Sequence, residues 1–137
     1  MSGGGAGNVE LVSRAFDTFD REGLEPVLPF IAEDVAIHSL PDWPDDSEYR
    51  GHDGFRKLTA AWTEHFDGFG FDVEEIRGAG EEVAVRLRLK GQAKVSGMPL
   101  ADEIGAVFAF GDDRVREIRY LPTWEDALAA AGLSTDR

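Results

Sequence analysis

The sequence of 137 residues contains no cysteine, and this absence excludes several kinds of site at once. Disulfide bridges, zinc sites with thiolate ligands and cysteine nucleophiles all require that residue. Basic residues are also scarce, because 14 Lys and Arg stand against 27 Asp and Glu and give a formal net charge of −13. A chain with this charge is poorly suited to the phosphates of nucleic acid and to anionic membrane surfaces. We therefore expect neither nucleic acid nor a membrane as a partner.

The sequence also lacks a long apolar run and a secretory signal. No apolar segment approaches the roughly 18 residues that span a bilayer, and the N-terminus shows no basic-then-apolar pattern. These absences predict a cytoplasmic protein. The length suits a single domain. We expect a flexible Gly-rich leader at residues 1–7, one domain at residues 8–133 and a short tail at residues 134–137.

The first half of the chain has the apolar periodicity of helices. It predicts a first helix from Asn8 to Gly23, a short second helix over residues 24–32 that is distorted at Pro29, and a third over residues 53–66. Apolar positions recur at three- and four-residue spacing in two of these segments: Leu11, Val12, Ala15, Phe16 and Phe19 in the first helix, and Phe55, Leu58, Trp62, His65 and Phe66 in the third.

The second half has the two-residue periodicity of strands. A short strand over residues 35–40 precedes the third helix, and strands over about residues 69–76, 83–90, 100–110 and 115–121 follow it. Residues 91–96 continue the strand over 83–90 or form the next one. A last short helix is predicted from Trp124 to Ala131. This order indicates an α+β fold in which a curved antiparallel sheet is covered by three N-terminal helices and a short C-terminal helix. Such a cone-shaped sheet has an apolar interior.

Five segments carry a recognisable pattern: IAEDVAIH at residues 31–38, DWP at 42–44, YRGHDG at 49–54, VREIRY at 115–120 and WEDALAAAGL at 124–133. Together they resemble the SnoaL-like proteins of the nuclear transport factor 2-like superfamily, over about residues 8–133. The resemblance implies the cone fold. It leaves the activity open, because the family includes ketosteroid isomerases, polyketide cyclases, limonene epoxide hydrolases, dehydratases, non-enzymatic ligand binders and dimerisation modules.

The resemblance also implies where catalytic residues would lie. In the cyclases an Asp on the last strand is the acid/base, and the matching position here is Thr123, or Pro122 if one residue is inserted. The epoxide hydrolases add an Arg and a second Asp on the central strands, where this chain has Arg86 and Arg88 without an Asp. In the ketosteroid isomerases the base is an Asp that falls on or beside His38. None of these three sets is complete here.

The residues themselves suggest four polar candidates. His38, near the end of the first strand, can act as a general base that Asp42 orients, or it can be a strand-edge histidine bonded to backbone or solvent. Tyr120 can donate to a carbonyl oxygen if it faces inward; otherwise it packs on the outer face of the sheet. His65 can be a second donor in the pocket, although a histidine favoured by the helix C-terminus explains it more simply.

The candidate ligand-binding residues are His65 and a set of aromatic side chains. Core packing accounts for most of the aromatic residues equally well. Trp43 is the exception, because an aromatic residue in a Pro-flanked polar loop more often covers a pocket or an interface. The aromatic candidates are Phe16, Phe19, Trp43, Trp62, Phe66 and Phe108.

Basic residues in the second half have three interpretations. Cross-strand ion pairs on a solvated face account for them, a homodimer formed through the sheet is the second, and a site for an anionic ligand is the third. They are Arg86, Arg88, Lys90, Lys94, Arg116 and Arg119. The acidic segment 42–48 lacks the ligand alternation and glycine of a calcium loop, and no glycine-rich phosphate cradle opens a helix. We expect neither a metal nor a cofactor.

Two hypotheses about function follow. In the first, the domain binds a small apolar or carbonyl-containing molecule and acts on it as an isomerase, cyclase or dehydratase. His38 is then the base, Asp42 its partner, and Tyr120 or His65 the donor to the developing oxyanion. In the second, the domain is a non-catalytic ligand-binding or dimerisation module, which the missing last-strand Asp favours. A cavity in which His38 meets a carboxylate would distinguish the first hypothesis from the second.

Overall fold

The computed structural model describes residues 5–40 and 48–133. Its α-helices are α1 (Gly5–Glu22), α2 (Gly51–His65) and α3 (Trp124–Ala130), and a 3₁₀ helix spans Glu25–Phe30. Its strands are β1 (Ile31–His38), β2 (Glu48–Arg50), β3 (Phe66–Ala79), β4 (Glu82–Ala93), β5 (Glu103–Gly111) and β6 (Arg114–Leu121). Among the described helices, none is long and apolar enough to cross a membrane.

The six strands form one curved, open sheet in the order β2-β1-β6-β5-β4-β3. Neighbouring strands are antiparallel except β1 and β6, which run parallel. The α+β architecture expected from the sequence is confirmed, with one parallel pair in a sheet predicted to be antiparallel throughout. That pair forms because the chain leaves β1, returns through α2 and the β3–β6 meander, and brings its last strand beside its first.

Several boundaries differ from the sequence-based prediction. α1 begins at Gly5, so Asn8 lies inside the helix, where its Nδ2 donates to the Gly80 carbonyl oxygen at 3.3 Å instead of capping. The predicted second helix is a 3₁₀ helix, because Pro26 and Pro29 supply no backbone N–H. β1 starts at Ile31 and not at residue 35, and the three-residue strand β2 was not predicted. Residues 1–4 of the predicted leader and the whole of the predicted tail, residues 134–137, lie outside the described residues.

The main core lies between the inner face of the sheet and α1, the 3₁₀ helix and α2. Alternate side chains of each long strand face this core, such as Val83, Val85 and Leu87 on β4. A second apolar cluster lies on the outer face of the sheet, where Trp124 and Leu128 of α3 pack with Ala84 and Val107. The helices therefore cover both faces, and the cavity described below belongs to the inner one.

The turn between β5 and β6 shows how the sequence fixes the meander. Asp112 and Asp113 have φ angles of +55° and +65°, the left-handed pair that a two-residue hairpin turn of type I′ requires. Asp tolerates this conformation better than most residues. This hairpin turn joins the two strands and sets the antiparallel register of β5 and β6.

Candidate functional site

An apolar cavity lies between the inner face of the sheet and the helices that cover it. The centre of a water molecule can occupy about 40 Å³ of it, and all the space between its atoms, open solvent included, comes to about 440 Å³. The twelve lining residues are apolar or aromatic, and four of them belong to α1. They are Val12, Ala15, Phe16, Phe19, Val27, Ile31, Phe55, Trp62, Phe71, Phe108, Val115 and Tyr120.

The ring of Phe71 is the centre of the aromatic wall. It meets Phe16 and Trp62 edge to face, at centroid distances of 5.8 Å and 5.4 Å. It also lies parallel to Tyr120 at 6.2 Å, with 11° between the two planes. Aromatic pairs in these geometries add roughly 0.5–1.5 kcal/mol each beyond the apolar area that they bury. These rings therefore form one cohesive cluster at the wall of the cavity.

Tyr120 brings the one ionisable group to the described lining. The sequence left its direction open, and the structure turns it inward, where it is 6% exposed. Burial raises the pKa of Tyr120 far above its usual value, because the phenolate would lose its hydration. The hydroxyl therefore stays protonated at neutral pH, and as a neutral group it can donate or accept a hydrogen bond.

A second, smaller cavity lies beyond the same rings, and it is too narrow to hold a water molecule. Its lining includes Trp62, Phe71 and Tyr120, which also line the larger cavity. The other lining residues are Ser39, Leu40 and Ile104. Ser39 is the buried polar side chain of the described residues, at 9% exposure. The smaller cavity is therefore a gap in the packing and not a second ligand site.

His38 lies outside both cavities. It follows the buried Ile37 on β1, so strand alternation places its ring on the outer face of the sheet. There Nε2 lies 3.1 Å from Glu117 Oε2 and Nδ1 lies 3.3 Å from Glu48 Oε2. Among the described residues, the carboxylates that meet His38 are Glu48 and Glu117, and they lie outside the cavity. This placement does not support a base that acts on a cavity-bound molecule.

The remaining predicted site residues divide into three groups. Five line the larger cavity: Phe16, Phe19, Trp62, Phe108 and Tyr120. His65 and Phe66 do not line either cavity, because α2 ends there and the backbone turns into extended β3. His65 is exposed, and Phe66 packs on Phe69 at 5.7 Å. Asp42 and Trp43 lie outside the described residues.

Comparison with known proteins gives the family. The SnoaL-like domain family matches residues 12–118, which is most of the chain. The chain belongs to this family. The SnoaL-like fold commonly binds small molecules, and it can act as a cyclase or an isomerase. No curated protein sequence matches the chain.

Solved structures show the same SnoaL-like fold at low identity. An NTF2-like protein from Burkholderia thailandensis is 18% identical with a TM-score of 0.78, over 92% of this chain and 97% of that one. A putative SnoaL-like polyketide cyclase from a Jannaschia species is 22% identical with a TM-score of 0.76, over 98% and 97%. A Catenulispora acidiphila protein of ketosteroid isomerase-like fold, in complex with trimethylamine, is 14% identical with a TM-score of 0.71, over 93% and 96%.

The last-strand position of the SnoaL-like cyclases has a structural role in this chain. Thr123 precedes α3, and its Oγ1 accepts a hydrogen bond from the Asp126 N–H at 3.0 Å. An N-cap of this kind stabilises a helix by about 1 kcal/mol. The hydroxyl is therefore engaged at the start of α3.

Sequence reasoning missed seven of the cavity residues as ligand-binding candidates. Phe71 lies in a predicted strand and Phe55 in the apolar stripe of a predicted helix. Their spacing places both in the interior, but it does not distinguish a cavity wall from a filled core. The missed residues are Val12, Ala15, Val27, Ile31, Phe55, Phe71 and Val115. The usable signal was Ala15, because a small residue in a stripe of large ones leaves space beside it.

The outer face of the SnoaL-like sheet carries ion pairs that cross between strands. Arg86 Nε lies 2.9 Å from Glu103 Oε2, and Arg88 Nε lies 2.8 Å from Glu74 Oε2. The hydrogen bond from Arg86 holds the pKa of Glu103 below its usual value. The predicted cross-strand ion pairing is confirmed here. Within residues 5–40 and 48–133, no group of three or more His, Asp or Glu is placed to hold a metal.

Proposed function

We propose that this SnoaL-like domain binds a small, uncharged and mostly apolar molecule in the larger cavity, without proton transfer by His38. The composition of the described lining carries this proposal, because Tyr120 is its one ionisable residue and stays neutral. An unpaired ion would lose its hydration in such a cavity, at a cost of several kcal/mol. An apolar ligand gains about 25 cal/mol for each Å² removed from water.

The proposal favours the binding module over the enzyme. A general base has to lie within hydrogen-bond reach of the proton that it removes. His38 is on the opposite face of the sheet, and the neutral Tyr120 is a donor and not a base at neutral pH. A ketone or another carbonyl compound would suit this donor. The complex of the Catenulispora protein with trimethylamine supports a small-molecule role for the fold.

Thermal shift with three eight-carbon probes tests the proposal. A methyl ketone should stabilise the protein, and at a concentration of about 100 times its Kd the gain is about 2.7 kcal/mol, or about 9 °C in Tm. The carboxylate and the primary amine of the same length should give no shift. The amine is the sharper control, because the net charge of −13 attracts it while the cavity rejects its ammonium group. A shift with the amine or the carboxylate that equals the ketone's would contradict an uncharged ligand.

We propose as a second function that two copies form a homodimer through the outer face of the sheet. This face presents both signs of charge beside α3, with Arg119 next to Glu82 at 3.8 Å and Arg86 next to Glu103. Mixed charges can pair across a two-fold axis, where each copy offers the same surface.

Sedimentation tests the homodimer. The expected mass is twice 15.0 kDa, and Arg119→Glu should shift the equilibrium towards the monomer. Arg14→Glu, on the exposed face of α1, is the matched charge reversal and should leave the dimer intact. A monomer at every accessible concentration would refute this second function.

A further inference from the structure

The larger cavity opens to solvent along one element. Nine of its twelve lining residues are buried, and the other three are partly exposed. The partly exposed residues are Ala15, Phe16 and Phe19, and all three lie on α1. The mouth of the cavity therefore lies beside the second half of α1, where residues 15–20 form the mouth segment.

As it stands in the structure, the cavity is smaller than the ligand that the proposed function assigns to it. The centre of a water molecule can occupy about 40 Å³ of the cavity. One water needs roughly 10–15 Å³ of such space, so the cavity has room for about three waters. An eight-carbon ketone is larger than three waters. A wall of the cavity therefore has to move before such a ligand can enter.

Few polar contacts hold α1 to the rest of the fold. Within the part of the chain that the structure describes, its side chains make two: Asn8 Nδ2 with the Gly80 carbonyl oxygen at 3.3 Å, and Asp20 Oδ1 with Lys90 Nζ at 2.8 Å. The lining strands, by contrast, belong to one hydrogen-bonded sheet, and α2 joins β2 directly at one end and β3 at the other. We infer that α1 is the gate of the larger cavity and that Lys90 holds it closed. This inference rests on the proposed binding function and concerns how a ligand enters the same site.

Lys90 connects the mouth segment to the edge of the sheet. Its Nζ lies 2.8 Å from Asp20 Oδ1 on α1 and 3.3 Å from Asp72 Oδ1 on β3. The hydrogen bond to Asp20 is the main reason that the pKa of Lys90 lies above its usual value, so the ammonium group is charged at neutral pH. Asp20 follows Phe19 directly in the sequence. The mouth segment therefore cannot lift from the sheet unless the contact between Asp20 and Lys90 breaks.

The reaction rate of a buried thiol measures this opening without a ligand. Because the chain has no cysteine, Val115→Cys places a single thiol in the wall of the cavity, at a position on β6 that is 1% exposed. Dithiodipyridine, an uncharged reagent, should react with this thiol about twofold to fivefold faster when Lys90→Met is added, which is the effect expected from an exposed ion pair. Val27→Cys replaces Val115→Cys if that variant does not fold, since Val27 lines the same cavity.

Two controls separate the gate from a general loss of stability. Lys94→Met removes the same charge and a 4.0 Å contact with Asp67 of β3, but this contact does not involve α1, so the rate should stay unchanged. Val107→Cys, 1% exposed on the outer face under α3, reports opening of the whole domain, and Lys90→Met should not accelerate its reaction. An unchanged rate for Val115→Cys with Lys90→Met, or an equal acceleration in either control, would overturn the inference.

The eight-carbon methyl ketone tests the same gate from the side of the ligand. Its association rate, followed by stopped-flow fluorescence of the tryptophans, of which Trp62 lines the cavity, should rise about twofold to fivefold in Lys90→Met, because entry requires the open state. If no ketone binds the wild type, the proposed function fails, and the thiol rates still decide whether α1 is the gate. A ketone that binds the wild type and Lys90→Met with the same association rate would overturn α1 as the route of entry.

Discussion

Replacement of Ala15 with Leu tests whether the larger cavity is empty space. Ala15 lies on α1 and lines the cavity, so Leu at this position adds three carbons to the empty volume. At about 0.8 kcal/mol for each buried carbon, less about 0.5–1 kcal/mol of side-chain entropy, the expected gain in unfolding free energy is about 1–2 kcal/mol. Helix propensity hardly changes, because Ala and Leu are both strong helix formers.

The assay is urea unfolding together with the melting temperature. For a domain of this size, about 1 kcal/mol corresponds to about 3–4 °C, so Ala15→Leu should melt about 3–7 °C higher than the wild type. The same variant should lose the thermal shift with the methyl ketone, because its side chain occupies the ligand's space. Ala60→Leu, the same substitution on the exposed face of α2, should change neither quantity measurably.

The sign of the change makes this prediction decisive. In a core that is already filled, three additional carbons force side chains from their rotamers and cost about 1–3 kcal/mol. A lower melting temperature for Ala15→Leu would therefore refute the cavity. A higher melting temperature with an unchanged ketone response would keep the cavity and refute it as the ligand site.

Three further predictions concern other parts of the chain. His38→Ala should leave ketone affinity within about twofold of the wild type, because the ring lies across the sheet from the cavity. Titration calorimetry measures this affinity. A loss of binding would mean that His38 takes part in the ligand site. Gly105→Ala should lower the unfolding free energy by about 1–3 kcal/mol, because the added Cβ would lie 2.6 Å from Ala127 Cβ. Gly7→Ala is the control, because a Cβ at Gly7 has no neighbour within 4 Å and should not destabilise the fold. The Tyr120 hydroxyl, followed by absorbance in a Tyr49→Phe background, should resist ionisation above pH 10 while the protein is folded. Because the pKa of Tyr120 is raised in the fold, its contribution to the unfolding free energy is fully present below the pKa of the unfolded chain and is lost as pH rises beyond it. Titration of Tyr120 at its ordinary pKa in the folded protein would contradict its burial.

The outer-face ion pairs have a pH dependence of known sign. Because the pKa of Glu103 is lowered in the folded state, its contribution to stability is present above its ordinary pKa of 4.5 and is lost as pH falls through the lowered value. Arg86 is the main cause of that lowering. The stability difference between the wild type and Arg86→Met should therefore shrink in acid, as urea unfolding at neutral and at acidic pH would show. An equal difference at both pH values would mean that Arg86 acts through packing alone.

The sequence predicted the order of elements well where periodicity was strong. α2, β4 and β6 lie close to the predicted segments, because each buries one regular face along its whole length. It failed at β2, which has three residues and no pattern, and at the start of β1, which follows the 3₁₀ helix directly. Short elements depend on their neighbours for stability, and local sequence does not contain those neighbours.

The candidate site was predictable in composition but not in arrangement. The aromatic supply of the cavity was visible in Phe16, Phe19, Trp62 and Phe108, and their side of each element followed from spacing. The position of His38 was not settled, because a single polar residue at a strand end can face either side. The alternation from Ile37 and the pairing with β6 decided it, and only the folded sheet supplies that pairing.

The sequence by itself determined the family, the α+β class, the exclusion of thiol chemistry and the apolar character of the interior. These properties depend on residue types and local periodicity, which the chain carries without any long-range contact. Only the tertiary structure decided that Tyr120 faces the cavity, that His38 faces Glu48 and Glu117, and that Phe71 packs against Tyr120 in the cavity wall. Each of these facts is a distance between side chains from separate strands or helices, and such distances exist only once the curved sheet and its helices have packed together.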